Sequence, residues 1–119
     1  MNKNLKLIAK NYYKFIDTHS IKSLLTLFSE DITYFRCEQK IAGIVPLQRF
    51  YEQERKLQGK HFLKDILIHK NEVIVRGNFK GKNVHGETLD VSFVDFFTFN
   101  ASGKIKRRHT YLARGFEDI

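Results

Sequence analysis

The stretch from Thr88 to Leu112 constrains the fold more than any other. It reads TLDVSFVDFFTF, then NASG, then KIKRRHTYL. Two strand-like runs rich in β-branched and aromatic residues flank a short turn of Asn, Ala, Ser and Gly, which is the pattern of a β-hairpin. Side chains alternate across a strand. Val91, Phe93, Asp95, Phe97 and Phe99 therefore share one face, and Ser92, Val94, Phe96 and Thr98 share the other. Asp95 stands in a row of large apolar side chains, where an ionised carboxylate is costly unless something pairs with it. It is the strongest functional signal in the sequence.

The rest of the chain supplies what a hairpin of this kind packs against. Leu5, Ile8, Tyr12, Phe15 and Ile16 recur at helical spacing, with lysines on other faces and Asn2 or Asn4 as cap. Residues 17–20 break that helix, and Ser20 caps a shorter one carrying Ile21, Leu24, Leu25 and Phe28. A short strand at 32–35 and a loop at 36–43 follow. Pro46 suits the start of a third helix, marked by Leu47, Phe50, Tyr51 and Leu57 and ended near Gly59. From His61 the period changes to two. Strands are expected at 62–69 and 72–82, joined at Lys70-Asn71, and a turn at 83–86 leads into the Asp95 strand. Helices first and antiparallel strands after make an α+β arrangement. The 119 residues suit one domain, spanning 1–119. The outer face of the Asp95 strand, with Val94 and Phe96, has no obvious cover within so short a chain. A homodimer through the sheet is the expected cover.

Composition narrows the function classes. The chain is 42% hydrophobic and 29% charged, an ordinary balance for a folded globular protein. No apolar run approaches the roughly 20 residues of a membrane span, and no signal peptide is evident. Cys37, the only cysteine, excludes an internal disulfide, fits a cytoplasmic setting and reads as a small packed side chain. The net charge of +8 raises nucleic-acid binding as a reading. However, the one dense cluster, Lys104 to His109, splits between two strand faces, so nucleic acid is not the expected partner. His61 and His109 could reach a pocket or an interface, but no histidine pair has zinc-like spacing, and no glycine-rich phosphate loop is present. No metal site and no cofactor is expected.

The helix order, FSEDITY, the RFYEQ segment after Gly43 and DFFTFNASGKIKRRHTYL resemble the nuclear transport factor 2-like superfamily. Within it the chain looks most like the SnoaL-like and ketosteroid isomerase branch. That resemblance implies a cone in which three N-terminal helices pack on a strongly curved, mostly antiparallel sheet. It places Tyr12 and Tyr51 on pocket tyrosines and Asp95 on an oxyanion-hole aspartate. The family's catalytic base falls on Arg36, which cannot accept a proton at neutral pH. Pocket positions of the last strand fall on Arg108, Thr110 and Leu112, beside Phe93 and Phe97 of the Asp95 row. A bulge in the last strand would turn Arg108 outward.

An arginine within about 4–6 Å would favour the Asp95 carboxylate form, so an ionised pair with Arg36 or Arg108 is expected. Three functions fit these residues. One is a small acid–base enzyme acting on an apolar carbonyl-bearing molecule by isomerisation, cyclisation, dehydration or hydration. Asp95 is then base or charge partner, and Tyr12, Tyr51 and Arg36 are stabilisers. The second is a non-catalytic module that binds a small apolar or anionic ligand or dimerises. The third is a basic interaction protein that uses its surface.

Overall fold

A computed structural model describes residues 4–113. Three helices, α1 (Leu5–Asp17), α2 (Ile21–Leu25) and α3 (Ile44–Arg49), precede or interrupt six strands: β1 (Phe28–Arg36), β2 (Gln39–Ala42), β3 (Gln58–His69), β4 (Glu72–Lys82), β5 (Thr88–Phe99) and β6 (Ile105–Leu112). The strands form one open, curved sheet in the order β2-β1-β6-β5-β4-β3. Neighbours are antiparallel except β1 and β6, which run parallel. The helices pack on the concave face as an α+β cone, the architecture the sequence implies.

The side chain of Asn4 accepts from the backbone N–H of Leu7 and caps α1. Leu5, Ala9, Tyr12, Tyr13 and Ile16 form its buried stripe. Ile8 and Phe15 pack only partly against the core. Tyr13, adjacent to the expected Tyr12, takes the place that periodicity gave to Phe15. Spacing of i, i+3, i+4 and i+7 from Ala9 carries the stripe through both tyrosines.

The segment read as a loop after Arg36 is a hairpin. Thr33 to Arg36 of β1 pair with Ala42 to Gln39 of β2. Its turn uses Cys37 in the left-handed region, with φ of 57°, rather than the Gly or Asn that usually marks such turns. Cys37 is therefore exposed and not a packed side chain. Helix α3 does not run on to Gly59. It gives way at Phe50–Glu54 to a π-helical turn, closed by the Arg55 N–H on the Phe50 carbonyl at 2.8 Å. Such wide turns often sit at functional sites. Here it buries the neighbouring Phe50 and Tyr51 together.

In β5 every second residue from Leu89 to Phe99 is buried, including Asp95. β6 breaks that alternation. Thr98 pairs with Arg107 and Phe99 with Ile105, so Lys106 is an extra residue in the ladder. The bulge has the opposite effect to the expected one. It lets Ile105 point into the core at the start of the strand and still brings Arg108 and Thr110 inward. The two basic residues before Arg108 and the Tyr111 after Thr110 face out. At the other edge, Gly77 lies so close to β3 that a Cβ there would sit 2.3 Å from the Phe62 carbonyl oxygen. Only glycine allows that approach, beside the register shift between Leu63 and Asp65.

Candidate functional site

Asp95 is fully buried and held by three donors. The Tyr13 hydroxyl donates to Oδ2 at 2.5 Å, and the Arg108 Nη2 donates to the same oxygen at 3.0 Å. The Thr110 hydroxyl donates to Oδ1. A threonine hydroxyl has one proton, and the carboxylate takes it. Tyr34, whose hydroxyl lies 3.2 Å from Thr110 Oγ1, is then left to donate to that oxygen. The arginine partner is Arg108, brought inward by the Lys106 bulge. Arg36 lines the cavity described below, with its guanidinium 5.1 Å from the Phe50 ring centre.

Arg108 extends this cluster towards α1 and the π-helical turn. Its Nη1 donates to the Tyr12 hydroxyl and, at 3.4 Å, to that of Tyr51. Those two hydroxyls are 2.9 Å apart. The guanidinium is stacked between the rings of Tyr12 and Tyr34, 4.3 and 4.5 Å from their centres. Its Nε is buried and has no hydrogen-bond partner among the described residues. Burial is the largest single influence and works against the charge, but the Asp95 carboxylate together with Tyr12, Tyr34 and Tyr51 outweighs it and holds Arg108 well above the ordinary arginine value. Burial pushes Tyr12 and Tyr13 well above the ordinary phenol value and raises Tyr51 as well. At neutral pH these three are hydrogen-bond donors, not bases.

A cavity of about 50 Å³ opens against this cluster. At ~10–15 Å³ per water-sized group it takes roughly four such groups, which suits the polar head of a ligand. Tyr12, Tyr34, Tyr51, Asp95, Arg108 and Thr110 form its polar side. Phe50, Leu57, Phe79, Val91, Phe93 and Leu112 supply apolar wall, and Arg36, Arg55 and His61 complete it. Of the residues singled out from the sequence, Asp95, Tyr12, Tyr51, Arg36, Phe93, Arg108, Thr110 and Leu112 all line this one cavity. Phe97 does not; it is fully buried in the core behind it.

The sequence did not single out Tyr13, Tyr34, Arg55 or the pairing of His61. Tyr13 was legible from the Ala9 stripe. Arg55 follows the π-helical turn, which shifts its phase by a residue. It makes no ion pair among the described residues; its Nη1 reaches the Leu57 carbonyl at 3.5 Å and its guanidinium lies 6.0 Å from the Phe79 ring centre. Burial lowers its pKa below the ordinary value. Asp17 binds His61 twice, its Oδ2 accepting the backbone N–H at 2.9 Å and its Oδ1 lying 2.6 Å from Nδ1. No local signal links two residues so far apart in sequence.

The comparisons with known proteins agree with this geometry at the level of fold. The SnoaL-like domain model matches residues 9–108. No curated protein matches the sequence at a significant level. An NTF2-like protein from Exiguobacterium sp. 255-15 is 20% identical with a TM-score of 0.80, covering 91% of this chain and 99% of its own. A protein from Catenulispora acidiphila DSM 44928 with a ketosteroid isomerase-like fold, solved with trimethylamine, is 12% identical with a TM-score of 0.79, over 94% and 88% of the two chains. SalBIII, an epoxide hydrolase/cyclase-like enzyme of pyran ring formation in the polyether salinomycin, is 15% identical with a TM-score of 0.81, over 96% and 92%. At these identities the likeness is one of fold.

The tyrosine shifts have a consequence for stability. Burial favours the neutral phenol, so the folded-state values of Tyr12, Tyr13 and Tyr51 lie above the 10.0 of the unfolded chain. The unfolded chain therefore loses these protons first as pH rises. The stability they contribute is complete below about pH 10 and is lost above it. Urea unfolding at stepped alkaline pH, read alongside phenolate absorbance, should show these tyrosines ionising together with unfolding. Their ionisation near the ordinary phenol value in a still-folded protein would contradict the burial. The matched residues cover most of the chain, and the chain belongs to the SnoaL-like domain family.

Proposed function

We propose that the cavity binds a small, flat, largely apolar molecule by a carbonyl or anionic oxygen, and that Tyr51 donates the decisive hydrogen bond. The carrying observation is the order of donors. Asp95 fixes Arg108, Arg108 Nη1 donates to Tyr12, and Tyr12 and Tyr51 share a hydrogen bond. Because Tyr12 accepts from a guanidinium, its own proton is free for Tyr51. The Tyr51 proton is then free for a ligand in the cavity. A chain of donors that begins on a buried cation is polarised towards its far end, where it stabilises developing negative charge.

The wall charge favours the same ligand class. Arg36, Arg55 and Arg108 line the cavity, and among the described residues Asp95 is the only carboxylate that does. Cations in low dielectric attract an oxyanion more strongly than they would in water. Phenylalanines on the remaining wall suit an apolar ring. In an acid–base enzyme this donor chain would hold the enolate or alkoxide oxygen formed in isomerisation, cyclisation or dehydration. In a binding module the same donors would hold a ligand's carboxylate or phenolate. Two of the solved neighbours are cyclase-like and isomerase-like by name, which supports the first use.

The test is titration with 4-nitrophenolate, an apolar ring bearing one oxyanion. Wild-type protein should bind it, and Tyr51→Phe should raise Kd roughly 10- to 100-fold, since a hydrogen bond to a charged group is worth about 1.5–3 kcal/mol. Equal affinity in the two proteins would remove Tyr51 from the site.

The outer sheet face carries the partner proposal. Phe35, His109, Phe96, Ile74 and Leu67 lie in register across five strands, from β1 to β3. Leu67 is 61% exposed and the adjoining Tyr111 50%. A second copy related by a two-fold axis would cover this band and leave the cavity open to ligand. Sedimentation should show a dimer at micromolar concentration and a monomer for Phe96→Asp; a wild-type monomer would refute the assignment.

A further inference from the structure

One titratable pair on the cavity wall has no part in the donor chain. Asp17 is the last residue of α1, where the helix dipole disfavours an anion. Its place there is explained by His61, on which both its carboxylate oxygens are spent. Binding the backbone N–H and the ring nitrogen of the same residue fixes both the position and the rotation of the imidazole. The ring is further confined by Tyr13, Phe79 and Phe93, with centres 5.1, 4.9 and 5.4 Å away. The histidine side chain is only 10% exposed, yet it lines the cavity, whereas Asp17 does not.

This arrangement selects one tautomer. A carboxylate accepts only, so Nδ1 carries the proton and donates it to Asp17. Nε2 is left with its lone pair, and no group among the described residues donates to it. By contrast Asp95, the carboxylate that drew attention in the sequence, already accepts from Tyr13, Thr110 and Arg108. Taking a proton there would break the pair that neutralises Arg108.

We propose that His61, through Nε2, is the general base of the cavity, with Asp17 as the positioning residue that sets its tautomer and stabilises the imidazolium once formed. The substrate class is a carbon acid, a molecule with a C–H beside a carbonyl or an equivalent electron sink. The C–H bond breaks, its proton goes to Nε2, and the electron pair moves into the new double bond and onto the oxygen held by Tyr51. Returning the proton to a different carbon isomerises the molecule; returning it instead to a departing β-hydroxyl, as the enolate electrons re-form the carbonyl and a carbon–carbon double bond, expels water and dehydrates it. This inference rests on the pocket reading above, because the oxygen must lie at the Tyr51 end.

The groups that set the ring's charge are few. Asp17 and Tyr13 face it from α1, Arg55 from the segment after the π-helical turn and Asp95 from β5; β4 contributes uncharged Phe79. Burial dominates and lowers the His61 pKa below the ordinary 6.5, while Asp17 works in the opposite direction. The imidazole is therefore neutral and able to accept a proton at pH 7.

The probe is 5-nitrobenzisoxazole. Removal of its ring C–H proton forms a nitrile, breaks the N–O bond and releases a coloured cyanonitrophenolate, with no other reactant needed. Wild-type protein should accelerate this elimination over free imidazole at equal concentration, with an acid limb below pH 6.5. His61→Gln should lower the rate at least about 100-fold, the lower end of what a general base contributes. Titration of this variant with 4-nitrophenolate and its urea midpoint are measured beside the rate, so that the loss is assigned to the base only in a folded protein that still binds the phenolate. Asp17→Asn should lower the rate and move the acid limb to still lower pH, because it removes the charge that raises the His61 pKa; a merely structural Asp17 would leave the limb in place. Binding of 4-nitrophenolate without elimination by wild type, or equal elimination by wild type and His61→Gln, would overturn the assignment of His61 while leaving the pocket reading intact. Failure to bind 4-nitrophenolate would overturn both.

Discussion

A guanidinium and a carboxylate buried against each other hold the inside of this cone together. Arg108 and Asp95 sit on neighbouring strands, both almost without exposure. Taking two such charges out of water costs several kcal/mol each, and the attraction between them offsets that only when the remaining donors and acceptors are also satisfied. Here most of them are. Tyr13 and Thr110 complete Asp95, and Tyr12 and Tyr51 accept from Arg108. Among the described residues, Arg108 Nε alone is left over. Helix α1, the π-helical turn, β5 and β6 each give side chains to one network, so the network ties the helical layer to the sheet.

That network also separates two kinds of work. Burial keeps the tyrosines neutral, and Arg108 orders Tyr12 and Tyr51 by donating to their hydroxyls beside the cavity. At another part of the cavity wall, α1 ends on Asp17 and aims His61 of β3. One helix therefore serves both sides of the proposed chemistry: Tyr12 and Tyr13 on the donor side and Asp17 on the acceptor side. Two local irregularities make this possible. The extra residue at Lys106 turns Arg108 inward, and the wide turn at Phe50–Glu54 brings Tyr51 round beside Tyr12. Both are departures from regular structure near the chemistry, where such departures concentrate.

Much of the scaffold was readable from residue patterns. Period-two alternation located β4 and β5 and placed Asp95 on the inner face, and NASG located the last turn. What escaped had physical reasons. The β1–β2 hairpin turns on Cys37, which adopts a backbone conformation that its residue type does not advertise. The end of α3 escaped because a π-helical turn keeps the helical composition while changing the phase. Arg108 was named as a pocket residue on regular strand parity; a bulge would have been read as turning it outward, yet the bulge present at Lys106 leaves it facing in. Asp17 and His61 meet only through tertiary packing, and a carboxylate at a helix end beside a strand histidine leaves no spacing to detect. The apolar outer face, in contrast, was visible as Val94 and Phe96 because β5 is apolar on both sides.

The dependence of the whole arrangement on the Asp95–Arg108 pair is most directly tested by a double-mutant cycle in urea unfolding, with Asp95→Asn, Arg108→Met and both together. Asp95→Asn leaves a buried guanidinium without its anion and should cost about 3–5 kcal/mol. The double replacement should cost less than the sum of the single ones by about 2–3 kcal/mol. Single costs below about 1 kcal/mol that simply add would mean that the two charges stand independently, and that something else organises the cone.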